Sequence, residues 1–327
     1  MAGSTRGDVP FGSRQPDRRE PARRSAHAFL SCQTFAPPPA DIFFGYTAKP
    51  VIWGLLAAWL TRVPDRAALI TGLGYAFTGE ARGKRALVQK ILRGLYKHAL
   101  RRATLIFFQN QDDKDDFARM NLLPAGVPVV IVNGSGIDTN TFTPAPLPSG
   151  PRRFLLIARL IGDKGIREYA AAAAQLRVAV PEAEFHLVGG LDPNPDGIPE
   201  AEVRKWQEAG HITWHGSLED VREAIAASHI YVLPSYREGT PRTVLEAMAM
   251  GRPIITTDAP GCRETVINGV NGFLVPVQNI SALKEAMEHF LISPQIIETM
   301  GEESRRIAVE KYDVRKINAA MLTAMKL

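Results

Sequence analysis

The chain has 327 residues, of which 45% are apolar and 22% are charged, and its formal net charge is +5. At roughly 100–200 residues per domain this length predicts two domains, and the composition excludes a disordered chain or a disulfide scaffold as a global description. The two cysteines, Cys32 and Cys262, form neither a disulfide framework nor a metal-binding spacing. No apolar run approaches the roughly 20 residues that span a bilayer, so we expect a cytosolic or peripheral protein.

The positive charge is concentrated in two segments. Residues 1–24 hold six arginines against three acidic residues, and residues 81–102 hold eight lysines and arginines and no acidic residue. The rest of the chain is net negative, so the basic charge is a local feature and we expect no nucleic-acid partner. Residues 1–40 are rich in Arg, Pro, Ser and Ala without an apolar period, which predicts a disordered or aberrant N-terminal tail.

From residue 41 onward, short apolar runs alternate with helical patterns. In the first half, strands are predicted at 41–44, 67–71, 104–109 and 127–133, with helices near 50–62, 84–102 and 111–120. After a Pro-rich linker at 143–151, strands are predicted at 154–158, 185–188, 212–215, 230–234, 253–257 and 272–275. Helices between and after them are predicted at 165–179, 199–208, 218–227, 241–250 and 280–291.

This alternation predicts two α/β domains, each built on a parallel sheet. We expect the first domain at 41–145 and the second at 151–312. The remaining residues, 313–327, are predicted to form a C-terminal helix that packs back on the first domain.

Ligands of open parallel sheets bind beyond the carboxyl ends of the strands. After the first strand of the second half, Arg159 and Lys164 lie beside glycines at a predicted helix start. Two cations in that place suit an anionic phosphate group.

A second candidate site follows the predicted strand at 230–234. Glu238 lies in the loop and Glu246 lies about two turns into the next helix. Thr240 is predicted as the N-cap of that helix, with Pro241 in its first turn. The free N–H groups of this helix start favour a negatively charged ligand.

These residues resemble a known family. Arg159, Lys164, the Glu238–Glu246 pattern (E-x7-E) and the segment GRPIITTDAPGCRETVINGVNGFLV resemble the donor domain of family-four (group 1) retaining glycosyltransferases of the GT-B fold. In the first half, YTAKPVIWG, ITGLGYAFTG, FFQNQDD and GSGID resemble the bacterial branch that acts on polyprenyl-diphosphate-linked acceptors. The resemblance runs from about Asp41 to about Tyr312 and implies a GT-B-like fold of two Rossmann-like parallel-sheet domains.

The resemblance also implies roles for individual residues. Arg159 and Lys164 would hold the nucleotide diphosphate and stabilise the charge that it develops as it leaves. Glu238, with the backbone of Gly239 and Thr240, would contact the donor sugar. Further implied contacts are Glu246 with the ribose, His215 and Gly216 near the base, and Thr71, Gly72, Leu73 and Gly74 on the acceptor side.

The implied substrates are a nucleotide-diphospho-sugar, UDP-linked, and a polyprenyl-diphosphate-linked saccharide used in cell-surface polysaccharide synthesis. The implied chemistry needs no cofactor and no metal ion, because fixed cations stabilise the leaving group. Asp113-Lys114-Asp115 matches the D-x-D pattern of metal-dependent glycosyltransferases, but the surrounding run is typical of the acidic first turn of a helix. Cys262 and the histidines are interpreted as structural, with His186 in the core.

The chain departs from the family at its N-terminus. The acceptor domain of the family normally begins with about two βα units ahead of the strand at 41–44, where this chain has residues 1–40. We therefore expect an incomplete first domain. A second hypothesis is an inactive, truncated sugar-nucleotide-binding fragment or partner subunit. A third, a sugar-nucleotide epimerase of the same fold, is disfavoured by the E-x7-E context.

The basic segment 81–102 predicts an amphipathic helix, because its apolar residues recur at helical spacing. One interpretation is a domain helix whose apolar side packs on the sheet and whose cations are solvated. The other is that its cations meet anionic lipid headgroups, which places the protein peripherally on the inner face of the cytoplasmic membrane. The cations in question are Lys84, Arg85, Arg93, Lys97 and Arg101.

Overall fold

The computed structural model describes residues 40–72 and 84–327, without the side chains of residues 84 and 85. The predicted tail therefore lies outside the described residues except for Ala40. The described strands are β1 (Ile42–Tyr46), β2 (Asp65–Ile70), β3 (Leu105–Phe108), β4 (Val129–Ile131), β5 (Arg153–Ile157), β6 (Glu184–Val188), β7 (Thr213–Trp214), β8 (Ile230–Leu233), β9 (Ile254–Thr257) and β10 (Gly272–Val275). The described α-helices are α1 (Leu55–Leu60), α2 (Lys84–Leu100), α3 (Gln111–Arg119), α4 (Ile166–Ala179), α5 (Glu200–Glu208), α6 (Arg222–Ala226), α7 (Arg242–Ala249), α8 (Ile280–Ile292), α9 (Ile296–Lys311) and α10 (Val314–Met325).

The described strands form two parallel sheets, as the alternating pattern predicts. The first sheet has the order β1-β2-β3-β4 and the second the order β10-β9-β8-β5-β6-β7. All strand pairs in both sheets are parallel, for example Phe154 opposite Phe185 and Tyr231 opposite Ile254. The predicted fold class, a GT-B-like pair of Rossmann-like domains, is confirmed.

Both faces of the first sheet are covered. Ala68 and Ile106 face a core that includes Tyr96 and Leu100 of α2. Successive strand residues point to the opposite face, where Leu69 and Phe107 pack with the C-terminal helix α10. Burial on both faces explains why β3 reads as a continuous apolar run.

The second sheet reverses its strand order between β5 and β8. Its core on one face includes residues of α4 and α8, and its core on the other face includes residues of α7 and α9. Because β6 and β7 extend from β5 in one direction and β9 and β10 extend from β8 in the other, the carboxyl ends of β5 and β8 form the topological switch point. Ligands of open α/β sheets bind in the crevice at such a point.

Arg252 holds the predicted linker against the second domain. Its side chain is almost fully buried, and its guanidinium donates to the carbonyl oxygens of Ala145 at 2.8 Å and Pro146 at 3.1 Å in the linker. It also donates to the carbonyl oxygens of Ile225 at 3.1 Å and Ala226 at 3.0 Å, beside the end of α6. Burial lowers the pKa of this guanidinium to about 10.

The sequence patterns place some helices incorrectly. The helix predicted at 218–227 is shorter, Arg222–Ala226, and the helix Ile296–Lys311 was not predicted at all. Two of the buried residues of Ile296–Lys311 are small or polar: Gly301 packs against the backbone of Gly251, and Ser304 donates a hydrogen bond to the carbonyl oxygen of Asn271. Because these residues interrupt the apolar period, the sequence pattern did not predict this helix.

The chain returns to the first domain after α9. Backbone hydrogen bonds join Ile137 and Tyr312 at 2.8 Å and Val314 and Ile137 at 3.0 Å. Asp313 caps α10 by accepting a hydrogen bond from the N–H of Arg315, and α10 then packs on the first sheet through Ile317. Within the described ranges, no helix is both long enough and apolar enough to cross a bilayer.

Candidate active site

Lys164 and Glu238 meet at the switch point of the second sheet. Lys164 ends a short 3-10 turn after β5, and Glu238 follows β8. The Lys164 ammonium donates to the Glu238 carboxylate, and the two side chains are only 17% and 16% exposed. The turn lies close against the end of β8, because Gly165 adopts a positive φ and a Cβ there would overlap the carbonyl of Pro234. The structure thus brings together two residues that are 74 positions apart.

Arg159 lies in the same loop but makes a different ion pair. Its Nη1 is 2.8 Å from Oδ2 of Asp192, in the loop after β6, and its side chain is 67% exposed. Its guanidinium is therefore accessible at the edge of the crevice, whereas the ammonium of Lys164 is mostly enclosed. Both predicted cations therefore lie in the segment after β5, each in an ion pair with a different carboxylate.

Glu246 lies on α7 on the other side of the switch point. Its carboxylate is buried and accepts a hydrogen bond from Nε of Arg242 at 3.1 Å. Burial raises the pKa of Glu246 above its ordinary value, and the nearby Asp220 raises it further, whereas Arg242 opposes both effects.

Thr240 does not cap α7 as predicted. The helix begins at Arg242, its N-cap residue is Pro241, and no side chain caps it. The Thr240 hydroxyl is instead 2.9 Å from the carbonyl oxygen of Gly239 and 3.4 Å from that of Gln109 in the first domain. The prediction was wrong because it considered only the local chain, whereas Thr240 lies against the first domain.

His215 forms a hydrogen-bonded pair with His186. Nε2 of His215 is 2.7 Å from Nδ1 of His186, and the two rings are stacked with centroids 5.0 Å apart. Burial lowers the pKa of both imidazoles. His186 was predicted as a core residue, but it is only partly buried and its other nitrogen is 3.3 Å from Glu184. The carbonyl of the adjacent Gly216 accepts a hydrogen bond from the N–H of Gly189 at 2.7 Å.

The first domain reaches the switch point through the end of β2. A Cβ placed on Gly239 would overlap the carbonyl oxygen of Thr71, and one placed on Gly72 would lie 3.3 Å from the backbone nitrogen of Gly239. Thr71 and Gly72 therefore lie directly against the loop that carries Glu238. The other two predicted acceptor-side residues, Leu73 and Gly74, lie outside the described residues.

The Asp113-Lys114-Asp115 segment is the acidic start of α3, as predicted. Asp113 is fully buried in an ion pair with Arg237, and Asp115 accepts a hydrogen bond from Gln111 at 2.7 Å, so the two carboxylates have different partners. In the part of the chain that the structure describes, no group of three or more His, Cys, Asp or Glu residues is placed to hold a metal ion. Sequence reasoning assigned no role to Arg237 or Asn110, although Arg237 directly precedes Glu238 and Asn110 lies within the FFQNQDD motif.

Comparisons with known proteins agree with this geometry. Residues 151–293 match the family model described as glycosyl transferases group 1. The chain is 28% identical over 278 residues to the N,N'-diacetylbacillosaminyl-diphospho-undecaprenol alpha-1,3-N-acetylgalactosaminyltransferase of Campylobacter jejuni, covering 81% of this chain and 71% of that protein. It is 25% identical to the UDP-Gal:alpha-D-GlcNAc-diphosphoundecaprenol alpha-1,3-galactosyltransferase of Escherichia coli, over 84% and 72% of the two chains. Among solved structures, sucrose-phosphate synthase from Thermosynechococcus elongatus superimposes with a TM-score of 0.75 at 23% identity, over 92% of this chain and 76% of that one.

The fold and these comparisons define a glycosyltransferase with the GT-B fold. Its second domain matches the glycosyl transferases group 1 family over residues 151–293, in agreement with the group 1 family predicted from the motifs.

Proposed function

We propose that this protein is a retaining glycosyltransferase that uses a UDP-linked sugar and a polyprenyl-diphosphate-linked saccharide acceptor in cell-surface polysaccharide synthesis. The observation that carries the proposal is the Lys164–Glu238 pair at the switch point, with Arg159 beside it and Thr71 facing it from the first domain. The relatives from Campylobacter jejuni and Escherichia coli, whose names specify diphospho-undecaprenol acceptors, support this acceptor class.

The chemistry assigned to the cations follows from the leaving group. When the bond between the sugar and the diphosphate breaks, negative charge grows on the diphosphate. Fixed cations that are aimed at this charge stabilise the transition state without reorganisation. Lys164 is positioned at the switch point for this role, and the exposed Arg159 can turn from Asp192 to the diphosphate.

The remaining predicted site residues each contact a different part of the nucleotide-sugar donor. Glu238, with the backbone of Gly239 and Thr240, contacts hydroxyls of the donor sugar, and Glu246 accepts hydrogen bonds from the ribose. The loop with His215 and Gly216 contacts the base.

We also propose that transfer proceeds without a metal ion, because Arg159 and Lys164 supply positive charge at the leaving group. Rates measured with EDTA and with added Mg²⁺ or Mn²⁺ should agree within a factor of about two. Activity that EDTA destroys and Mn²⁺ restores would contradict this mechanism.

The function is tested by calorimetry with a panel of nucleotide sugars, followed by transfer assays with polyprenyl-diphosphate-linked saccharides. Binding and turnover of a UDP-sugar are expected. Binding without turnover on any acceptor of the panel would favour the alternative, an inactive sugar-nucleotide-binding fragment or partner subunit. Absence of binding to every nucleotide sugar would contradict both.

Helix α2 supports a peripheral location at the anionic inner face of the cytoplasmic membrane. The sequence predicts one continuous apolar side, but the buried apolar residues among the described ones of this helix, Tyr96, Ala99 and Leu100, all lie in its C-terminal half. In the N-terminal half Leu87, Val88 and Ile91 are exposed. Exposed apolar residues on a helix that carries many cations and no acidic residue favour contact with an anionic lipid surface.

The membrane proposal is tested by co-sedimentation with liposomes that contain phosphatidylglycerol. Each cation near an anionic leaflet contributes about 1 kcal/mol, and the attraction decays over a Debye length of about 8–10 Å. The parent protein should therefore sediment at low salt and be released at high salt. Equal sedimentation at low salt of a variant with five Gln substitutions would contradict the proposal; the residues changed are Lys84, Arg85, Arg93, Lys97 and Arg101.

A further inference from the structure

The loop that carries Glu238 is bonded to both domains. Arg237, the residue before Glu238, donates through Nη2 to the carboxylates of Asp113 and Asp116 on α3 of the first domain. Asp113 is 0% exposed, and Arg237 and Asp116 are mostly buried. This is an enclosed ion pair between the two domains, unlike the exposed pairs that occur on helix surfaces elsewhere in the molecule.

The start of α3 organises the same contact from a second direction. Nδ2 of Asn110 donates to the carbonyl oxygen of Gly239 at 2.7 Å, and Oδ1 of Asn110 accepts a hydrogen bond from the N–H of Asp113 at 2.7 Å. One helix start of the first domain therefore bonds residues on both sides of Glu238. The two residues that flank Glu238 in the chain are therefore both held by the first domain, which fixes the position of Glu238 relative to that domain.

The burial of Asp113 makes the arrangement of the two domains in which Arg237 pairs with it more favourable than arrangements without this pair. Burial raises the pKa of Asp113, whereas the hydrogen bond and the positive charge of Arg237 lower it. A buried carboxylate that loses its cation is strongly destabilised, so Asp113 favours the domain arrangement in which Arg237 is present. The adjacent Glu238 meanwhile pairs with Lys164 of the second domain.

We infer that Arg237 and Asp113 are positioning residues for sugar transfer, which hold the Glu238 loop in register with the acceptor-side end of β2 at Thr71. The inference rests on the proposed function. The two residues act on the relative placement of donor and acceptor, whereas Lys164, Arg159 and Glu246 bind the donor within the second domain.

This role predicts a particular defect. Transfer needs an acceptor hydroxyl placed by the first domain, but hydrolysis needs only water at the anomeric carbon. In hydrolysis the bond from the sugar to the diphosphate breaks, the water oxygen bonds to the sugar, and a proton is released to solvent. Loss of the Arg237–Asp113 pair should therefore slow transfer while the donor still binds and is still hydrolysed.

The experiment compares Arg237→Gln, Asp113→Asn, the double variant and the control Arg167→Gln. The control removes an arginine that pairs with Glu202 at 2.7 Å within the second domain only. We expect kcat for transfer to fall at least about tenfold in each single variant, with KM for the nucleotide sugar changed by less than about threefold. The double variant should be no more than about twofold slower than the slower single variant, because the two residues act as one pair.

Two readouts separate positioning from a loss of folding. The fraction of consumed donor that is hydrolysed should rise at least about threefold in the Arg237 and Asp113 variants and stay unchanged in the control. Thermal unfolding identifies any variant that fails to fold. If Asp113→Asn fails to fold, Arg237→Gln and Arg237→Lys provide the test, because the side chain of Arg237 is more exposed than that of Asp113. Arg237→Lys should recover part of the transfer rate because it retains the charge.

Additive effects of the single variants, or an unchanged ratio of hydrolysis to transfer, would overturn the inference while leaving the proposed function intact. If the parent protein transfers no sugar, the proposed function fails, and small-angle X-ray scattering still tests the pairing. A larger radius of gyration of Arg237→Gln and Asp113→Asn than of the parent and control supports it. Equal radii would contradict it.

Discussion

Glu238→Gln separates the donor-sugar role of Glu238 from nucleotide binding. In the protein the Glu238 carboxylate accepts a hydrogen bond from the Lys164 ammonium, and both side chains are mostly buried. Glutamine keeps the shape of the side chain but removes its charge. Lys164 then no longer has to share its charge between Glu238 and the diphosphate of the nucleotide.

The magnitude follows from that single interaction. A hydrogen bond to a charged group contributes about 1.5–3 kcal/mol. In the parent, binding of the diphosphate loses only the part of this energy that disappears when Lys164 turns from Glu238 towards the phosphates. Since about 1.4 kcal/mol corresponds to a tenfold change in affinity, the UDP dissociation constant should range from unchanged to about tenfold lower. Transfer should slow by about 100-fold or more, because an oriented charge next to the reacting sugar is lost.

Calorimetry with UDP and transfer rates at saturating donor measure the two effects independently. The matched control is Glu246→Ala, which removes the buried carboxylate assigned to the ribose and should weaken UDP binding about tenfold. A UDP dissociation constant for Glu238→Gln more than about threefold above that of the parent would refute the reasoning. Equal losses of UDP binding in the two variants would refute the division of roles between the two glutamates.

Three further predictions concern the cations, the domain contact and the linker. Replacing both Arg159 and Lys164 by Ala should lower kcat/KM by a larger factor than it lowers UDP affinity, because their charges act mainly on the developing leaving group; equal factors in kinetics and calorimetry would contradict this. Gly239→Ala should lower both the melting temperature and the transfer rate, since a Cβ there overlaps the Thr71 carbonyl, and an unchanged melting curve would show that this approach is not close in solution. Arg252→Lys should lower the free energy of unfolding in urea by about 2–4 kcal/mol, because one ammonium cannot satisfy the carbonyls of both the linker and the end of α6; a loss below about 1 kcal/mol would argue against that bonding.

Local patterns in the sequence determined the architecture. Most of the parallel strands contain a short apolar run, and β8 and β9, which are buried along their whole length, stand out for this reason. The acidic start of α3 was also predicted, because the acidic residues of its first turn are adjacent in the chain. The motif around Glu238 and Glu246 indicated the family because its residues lie on one strand-loop-helix unit.

Only the tertiary structure decided which of these residues meet. Arg237 and Asp113 are 124 positions apart, and their contact depends on how two domains are arranged, which no local period encodes. Thr240 bonds across the domain contact rather than capping its own helix, because the first domain lies against it. The apolar spacing of α2 likewise shows which positions are apolar but not what covers them, so the burial of Leu100 and the exposure of Leu87 could be read only from the packed molecule. Sequence determines the local preference of each segment, whereas contacts between distant segments depend on the packing of whole domains.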